Sequence, residues 1–186
     1  MPKICYLADA SNPHVKKWCD FFLKKGYEIE IISLNGGSID GVTVHNFQTN
    51  VNEVRNKGLF SKFNYLKHRK EIKALIEKIR PDFLHAQYAS SYGFLGALMG
   101  YKPYISVWGT DIYDFPRNGL LQKMIIKYNF KKADYIFSNS IDMAREANLY
   151  TNKKVYITYF GVDTNRFKPI DEAKEQAYFT FGIVKS

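Results

Sequence analysis

Cysteine is nearly absent from this chain, and the two present, Cys5 and Cys19, fall in an expected first strand and first helix. That placement speaks against a disulfide framework or a metal cluster and suits small buried apolar side chains. No stretch reaches the ~18 uninterrupted apolar residues of a membrane span, and no signal peptide precedes the first strand, so the expected location is the cytoplasm. The turn after the first strand, Asp9-Ala-Ser-Asn-Pro-His14, has no glycine. A dinucleotide fingerprint needs glycine there to let the backbone approach a pyrophosphate, which disfavours a nicotinamide or flavin enzyme. The Ser/His/Asp order of a hydrolase elbow, the spacing of a zinc site and a phosphate-binding P-loop are missing as well.

What is present is apolar and basic. With 46% hydrophobic and 16% aromatic residues over 186 positions, the chain has enough for one sizeable core rather than two. Lys and Arg number 27 against 18 Asp and Glu, a net +9 that favours an anionic ligand or surface: nucleic acid, acidic lipid or nucleotide phosphate. The charge gathers on two expected helices, 61–80 and 117–132. Each carries an apolar stripe, Ile72, Leu75, Ile76 and Ile79 in the first and Leu121, Met124, Ile125 and Tyr128 in the second. A core face opposite a solvated face is one reading of these helices; a helix resting on an anionic membrane is another. Nucleic acid is not an expected partner, because no recognised motif accompanies the charge.

Strand and helix signals alternate along the chain. Strands are expected at 3–8, 28–34, 42–47, 82–86, 104–107, 134–138 and 155–159, and helices at 14–25, 61–80, 90–99, 117–132 and 141–150. Gly26 closes the first helix and Pro81 stops the second. The order predicts an α/β, Rossmann-like, doubly wound and mostly parallel sheet with helices on both faces. The domain is expected to span 1–169. Residues 170–186 are expected to form a linker and then, in Ala177-Tyr-Phe-Thr-Phe-Gly-Ile-Val184, the first strand of another domain.

In such sheets ligands bind beyond the carboxyl ends of the strands, and most of the suggestive residues fall there. Asp9 and Asn12 lie in the first turn, with Asn12 before Pro13 fitting a helix N-cap. His14 follows, either as a surface histidine or as a contact to substrate hydroxyls. Trp18 reads as core. In Trp108-Gly-Thr-Asp111, Gly109 allows close backbone approach, and Asp111 either offers its carboxylate to a sugar beside the Trp108 ring or caps the next turn. Ser140 is an N-cap placed where a ligand could also touch it. His85 is a packed histidine or a site residue. Gly161 and Asp163 form a turn after the last strand, at the mouth of any interdomain cleft.

Several segments together resemble the N-terminal domain of a family-four (group 1) retaining glycosyltransferase of the GT-B fold. They are Ile4-Cys-Tyr-Leu-Ala-Asp-Ala-Ser with His14 and Trp18, His85-Ala-Gln-Tyr with Gly93, Ser106-Val-Trp-Gly-Thr-Asp111, Ala133-Asp-Tyr-Ile-Phe-Ser with Ser140, and Phe160-Gly-Val-Asp-Thr-Asn-Arg-Phe-Lys-Pro169. The resemblance runs nearly the whole length, and its last segment is the most specific. It implies two Rossmann-like domains across a cleft, the first holding the acceptor and the second a nucleotide sugar. The implied reaction transfers the sugar with retention, without a metal or cofactor, to a saccharide or lipid-linked acceptor in surface glycan synthesis. His14 and Asp111 are the implied catalytic residues. Asp9, Asn12, Trp108, Gly109, Thr110, Ser140, Gly161 and Asp163 are the implied substrate contacts. Many members have a histidine where Trp108 stands, so the donor contact falls to His14 or Asp111. The family's phosphate-binding Arg and Lys and paired glutamates lie in the second domain, so these 186 residues alone are not expected to turn over. The alternative is a saccharide-binding or regulatory module without catalysis.

Overall fold

The computed structural model describes residues 1–47, 59–165 and 167–168. Seven strands form one parallel sheet: β1 (Lys3–Leu7), β2 (Glu28–Ser33), β3 (Thr43–Asn46), β4 (Phe83–Gln87), β5 (Tyr104–Val107), β6 (Ile136–Ser138) and β7 (Val155–Ile157). Their spatial order is β3-β2-β1-β4-β5-β6-β7. The chain thus winds outward from β1 to β3, then starts again beside β1 and winds the other way. The expected doubly wound sheet is present.

Among the described residues six α-helices cross between strands: α1 (Pro13–Lys24), α2 (Arg69–Ile79), α3 (Tyr92–Leu98), α4 (Thr110–Tyr113), α5 (Leu120–Lys132) and α6 (Ile141–Asn148). Right-handed crossovers put α1, which leads outward to β2, on one face and the helices of the return winding on the other. The core divides accordingly. On the first face Ile4, Tyr6, Ala8, Ile29 and Ile31 pack against Val15 and Cys19 of α1. On the second, Cys5, Leu7, Ile105 and Val107 meet Ile72 and Ile76 of α2, Leu95 of α3, Ile126 and Phe130 of α5 and Ala147 of α6. Both cysteines are free and buried, one in each cluster, and burial pushes each thiol up to about 12.

Two expected helices change form. The stretch expected to be helical over 61–80 is a 3₁₀ segment, Leu59–His68, followed by α2. Aromatic residues and Asn64 make the first part a poor α-helix former, and α2 starts with no side-chain cap. Arg80 then takes a left-handed conformation (φ 50°, ψ 58°) just before Pro81. The helix expected at 117–132 begins at Leu120 after a short 3₁₀ turn, Phe115–Asn118, and is rotated relative to expectation. Its inward face is Gln122, Ile125, Ile126, Asn129 and Phe130, while Leu121, Met124 and Tyr128 stand outside. The Asn129 amide donates to the Ala89 carbonyl at 2.9 Å, and Phe130 is wholly buried beside it, which fixes the rotation. The strand expected within 177–184 lies outside the described residues.

Candidate functional site

The carboxyl ends of β1, β4 and β5 lie side by side where the winding reverses. The first turn is held by its own polar residues. Asn12 Oδ1 accepts the His14 backbone N–H at 2.9 Å, so Asn12 caps α1 as expected. Asp9 Oδ1 accepts from the Ser11 N–H (3.0 Å) and hydroxyl (2.6 Å), and Asp9 Oδ2 from the Asn35 amide at 2.6 Å. These bonds tie the first turn to the loop after β2. That loop supplies the glycine the first turn lacks: a Cβ on Gly37, at φ +99°, would sit 2.5 Å from the Ser11 nitrogen. Asp9 and Asn12 therefore shape the turn rather than extend from it.

Above this edge three rings meet. His14 stacks on Phe160 with centroids 4.3 Å apart, and Trp108 stands edge-on to both, 5.8 Å from His14 and 5.6 Å from Phe160. Burial, helped by Lys17, lowers the His14 pKa, so the ring is neutral near pH 7. His14 Nδ1 and Trp108 Nε1 are buried with no hydrogen-bond partner in the protein. Gln87, the last residue of β4, is in the same condition at both side-chain atoms. Its register partner is Ser106, two residues before Trp108 on the neighbouring strand, so Gln87 and Trp108 are diagonal neighbours on the face that α1 covers. Buried polar atoms are ordinarily satisfied, and their gathering at a sheet edge marks a site built for a polar partner. A cluster of aromatic rings with scattered donors and acceptors suits a sugar, whose C–H face packs on a ring while its hydroxyls bond. Phe160 and Gln87 were not among the expected site residues.

Asp111 does not open its carboxylate to the crevice. It is fully buried at the start of α4, with Oδ2 accepting from the Ala89 N–H (2.7 Å) and Oδ1 from the Trp108 (3.0 Å) and Gly109 (2.9 Å) N–H groups. Burial raises its pKa against the pull of those amides. Of its two sequence readings the turn-holding one matches this geometry: Asp111 positions Trp108 and fixes Gly109 at φ +139°. Thr110 is exposed, its hydroxyl bonded to the Tyr88 hydroxyl. Ser140 Oγ accepts the Met143 N–H at 3.1 Å and so caps α6. Gly161, at φ +64°, and Asp163, whose Oδ1 accepts the Asn165 N–H at 3.0 Å, form the exposed turn after Phe160. His85 is packed rather than open: its Nε2 lies 2.8 Å from the Ser106 hydroxyl, between Tyr6 and Trp18, and burial lowers its pKa to about 3. Among the described residues no three His, Cys, Asp or Glu side chains gather as metal ligands would.

A family model described as glycosyl transferase 4-like matches residues 3–140. No curated relative matches. Solved structures share the fold at low identity. HepE of Anabaena, in complex with UDP and glucose, is similar over 92% of this chain and 48% of its own length, with TM-score 0.63 at 14% identity. A UDP-GlcNAc 2-epimerase of Methanocaldococcus jannaschii is similar over 84% of this chain and 45% of its own, with TM-score 0.53 at 15% identity. UGT73P12 of Glycyrrhiza uralensis, complexed with glycyrrhetinic acid 3-O-monoglucuronide, is similar over 84% of this chain and 48% of its own, with TM-score 0.54 at 11% identity. The chain thus spans about half the length of these proteins.

Proposed function

Since the chain belongs to the glycosyl transferase 4-like family, we propose that it is the acceptor-side domain of a retaining glycosyltransferase, working in surface glycan synthesis. It would move a sugar from a nucleotide-sugar donor to a saccharide or lipid-linked acceptor, without a metal. The shared fold does not choose the reaction, because an epimerase has it too; the family match and the sheet-edge site favour transfer. The observation that carries the reading is the His14, Trp108 and Phe160 cluster beside the unpartnered Gln87, Trp108 and His14 polar atoms.

In this reading the rings hold the apolar face of one sugar, and the Gln87 amide and Trp108 N–H fix its hydroxyls. Neutral His14 has a ring nitrogen free to bond a hydroxyl at the reacting end. The positive charge that would stabilise the departing diphosphate is expected outside the described residues. The test is transfer from nucleotide-sugar donors by the protein expressed from its whole native reading frame, with and without Trp108→Ala. Losing the ring should lower kcat/KM about ten- to hundredfold in a variant whose cooperative melting shows that it is folded. Transfer by the variant at the wild-type rate would remove the site from this place. Saccharide binding with no transfer from any donor would instead support the binding module. The anomeric configuration of the product, read by NMR, tests retention.

A further inference from the structure

Helix α5 carries two apolar stripes, and the core uses one. The other is open to solvent: Leu120 is 75% exposed, Met124 58%, Leu121 48% and Tyr128 36%. Phe94 of α3 meets the Tyr128 ring edge-on at 6.3 Å, and Leu98, one turn further along α3, is exposed. The same helix bears Lys123, Lys127, Lys131 and Lys132 and no acidic residue. Among the described residues no carboxylate pairs with Lys123, Lys127 or Lys131. Lys132 lies over the Tyr128 ring at 5.8 Å. Beside the stripe a groove of about 480 Å³ runs between α5 and residues 148–153, with Lys127 and Lys131 on its wall.

A helix meant only for water would set its lysines against glutamates and keep leucine inward. A second copy of the chain docking here would bring two sets of unpaired lysines together, a like-charge contact that disfavours pairing. Large apolar tips framed by one sign of charge fit the boundary of a bilayer, where the tips enter the acyl region and the ammonium groups meet headgroup phosphates. We infer that the outer face of α5, with Leu98 of α3, docks on an anionic lipid bilayer. The inference rests on the transferase reading only in naming where a lipid-linked acceptor would be met. Its test uses neither donor nor acceptor, so either can fail without the other.

The test is flotation of the protein, expressed from its whole native reading frame, with phosphatidylcholine vesicles that do or do not contain phosphatidylglycerol. The protein should float with the anionic vesicles and not with the neutral ones. Replacing Lys123, Lys127 and Lys131 together by Gln should weaken partitioning on the order of a hundredfold. The pair Leu121→Glu and Met124→Glu should abolish it, and in both variants the melting temperature without vesicles should hold. Equal binding to both vesicles, binding to neither, or variants that bind like wild type would overturn the inference. So would a marked fall in melting temperature for the glutamate pair, which would show that the remainder of the protein covers this face.

Discussion

Replacing Asp111 with alanine would strand three backbone amides, the buried one of Ala89 and the half-buried ones of Trp108 and Gly109. Each unsatisfied group costs about 1–3 kcal/mol, so Asp111→Ala should lower unfolding stability by roughly 3 kcal/mol or more, measured by urea titration. A loss of transfer in that variant would then follow from a collapsed Trp108 turn, not from a missing catalytic group. His85 acts on stability through pH. Its folded pKa, about 3, lies below the ordinary histidine value, so the unfolded chain binds a proton first as pH falls. The stability it confers is complete above about pH 6.5 and is lost towards pH 3, at about 1.4 kcal/mol per unit. Between pH 7 and pH 5 this amounts to about 2 kcal/mol, and His85→Gln should flatten that slope in urea titrations at the two values. Parallel slopes for variant and wild type would clear His85. At this scale the sequence was partly legible. Trp108 and His14 are each expected in the carboxyl-end crevice, since each follows a strand, and they are found together there. Phe160 joins them through a fold-level meeting that local spacing does not announce. Gln87 lies within the His85-Ala-Gln-Tyr segment, but what singles it out there is the lack of a bond to its side chain, which a sequence does not display.

At the level of elements, strands and caps were legible because their causes are local. Asn12 with Pro13 opens α1, Ser140 opens α6, and β5 runs over 104–107 as expected. Of the two readings of helix α5, the core-face one fails for a physical reason. Apolar residues surround it, and the stripe that enters the core contains Gln122 and Asn129, while the one left outside is all Leu, Met and Tyr. Hydrophobic periodicity chooses the purer stripe, but Asn129, whose Nδ2 donates to the Ala89 carbonyl, shows that an amide can lie inward. The 3₁₀ segment Leu59–His68 was likewise hidden, since charge and apolar spacing resemble a helix whatever its pitch.

For the whole molecule, alternation of strands and helices foretold the winding, and the winding leaves its two faces unequal. Among the described residues one face has α1 alone over the inner strands, and towards β7 it has a row of rings from Tyr104 through Phe137 to Tyr156. The other is covered from α2 to α6. Each face has its own core, and each core contains one thiol, Cys5 in the broader one and Cys19 under α1. With both pushed up to about 12, neither is a thiolate near neutral pH while the fold is closed. An alkylating reagent in excess should therefore modify each cysteine only as fast as its own core opens, with peptide mass spectrometry reading the two rates separately. Equal rates would mean the sheet opens as one cooperative unit. A faster Cys19 would mean that α1 lifts away while the other layer stays shut, so the chain carries one clock for each side of its sheet.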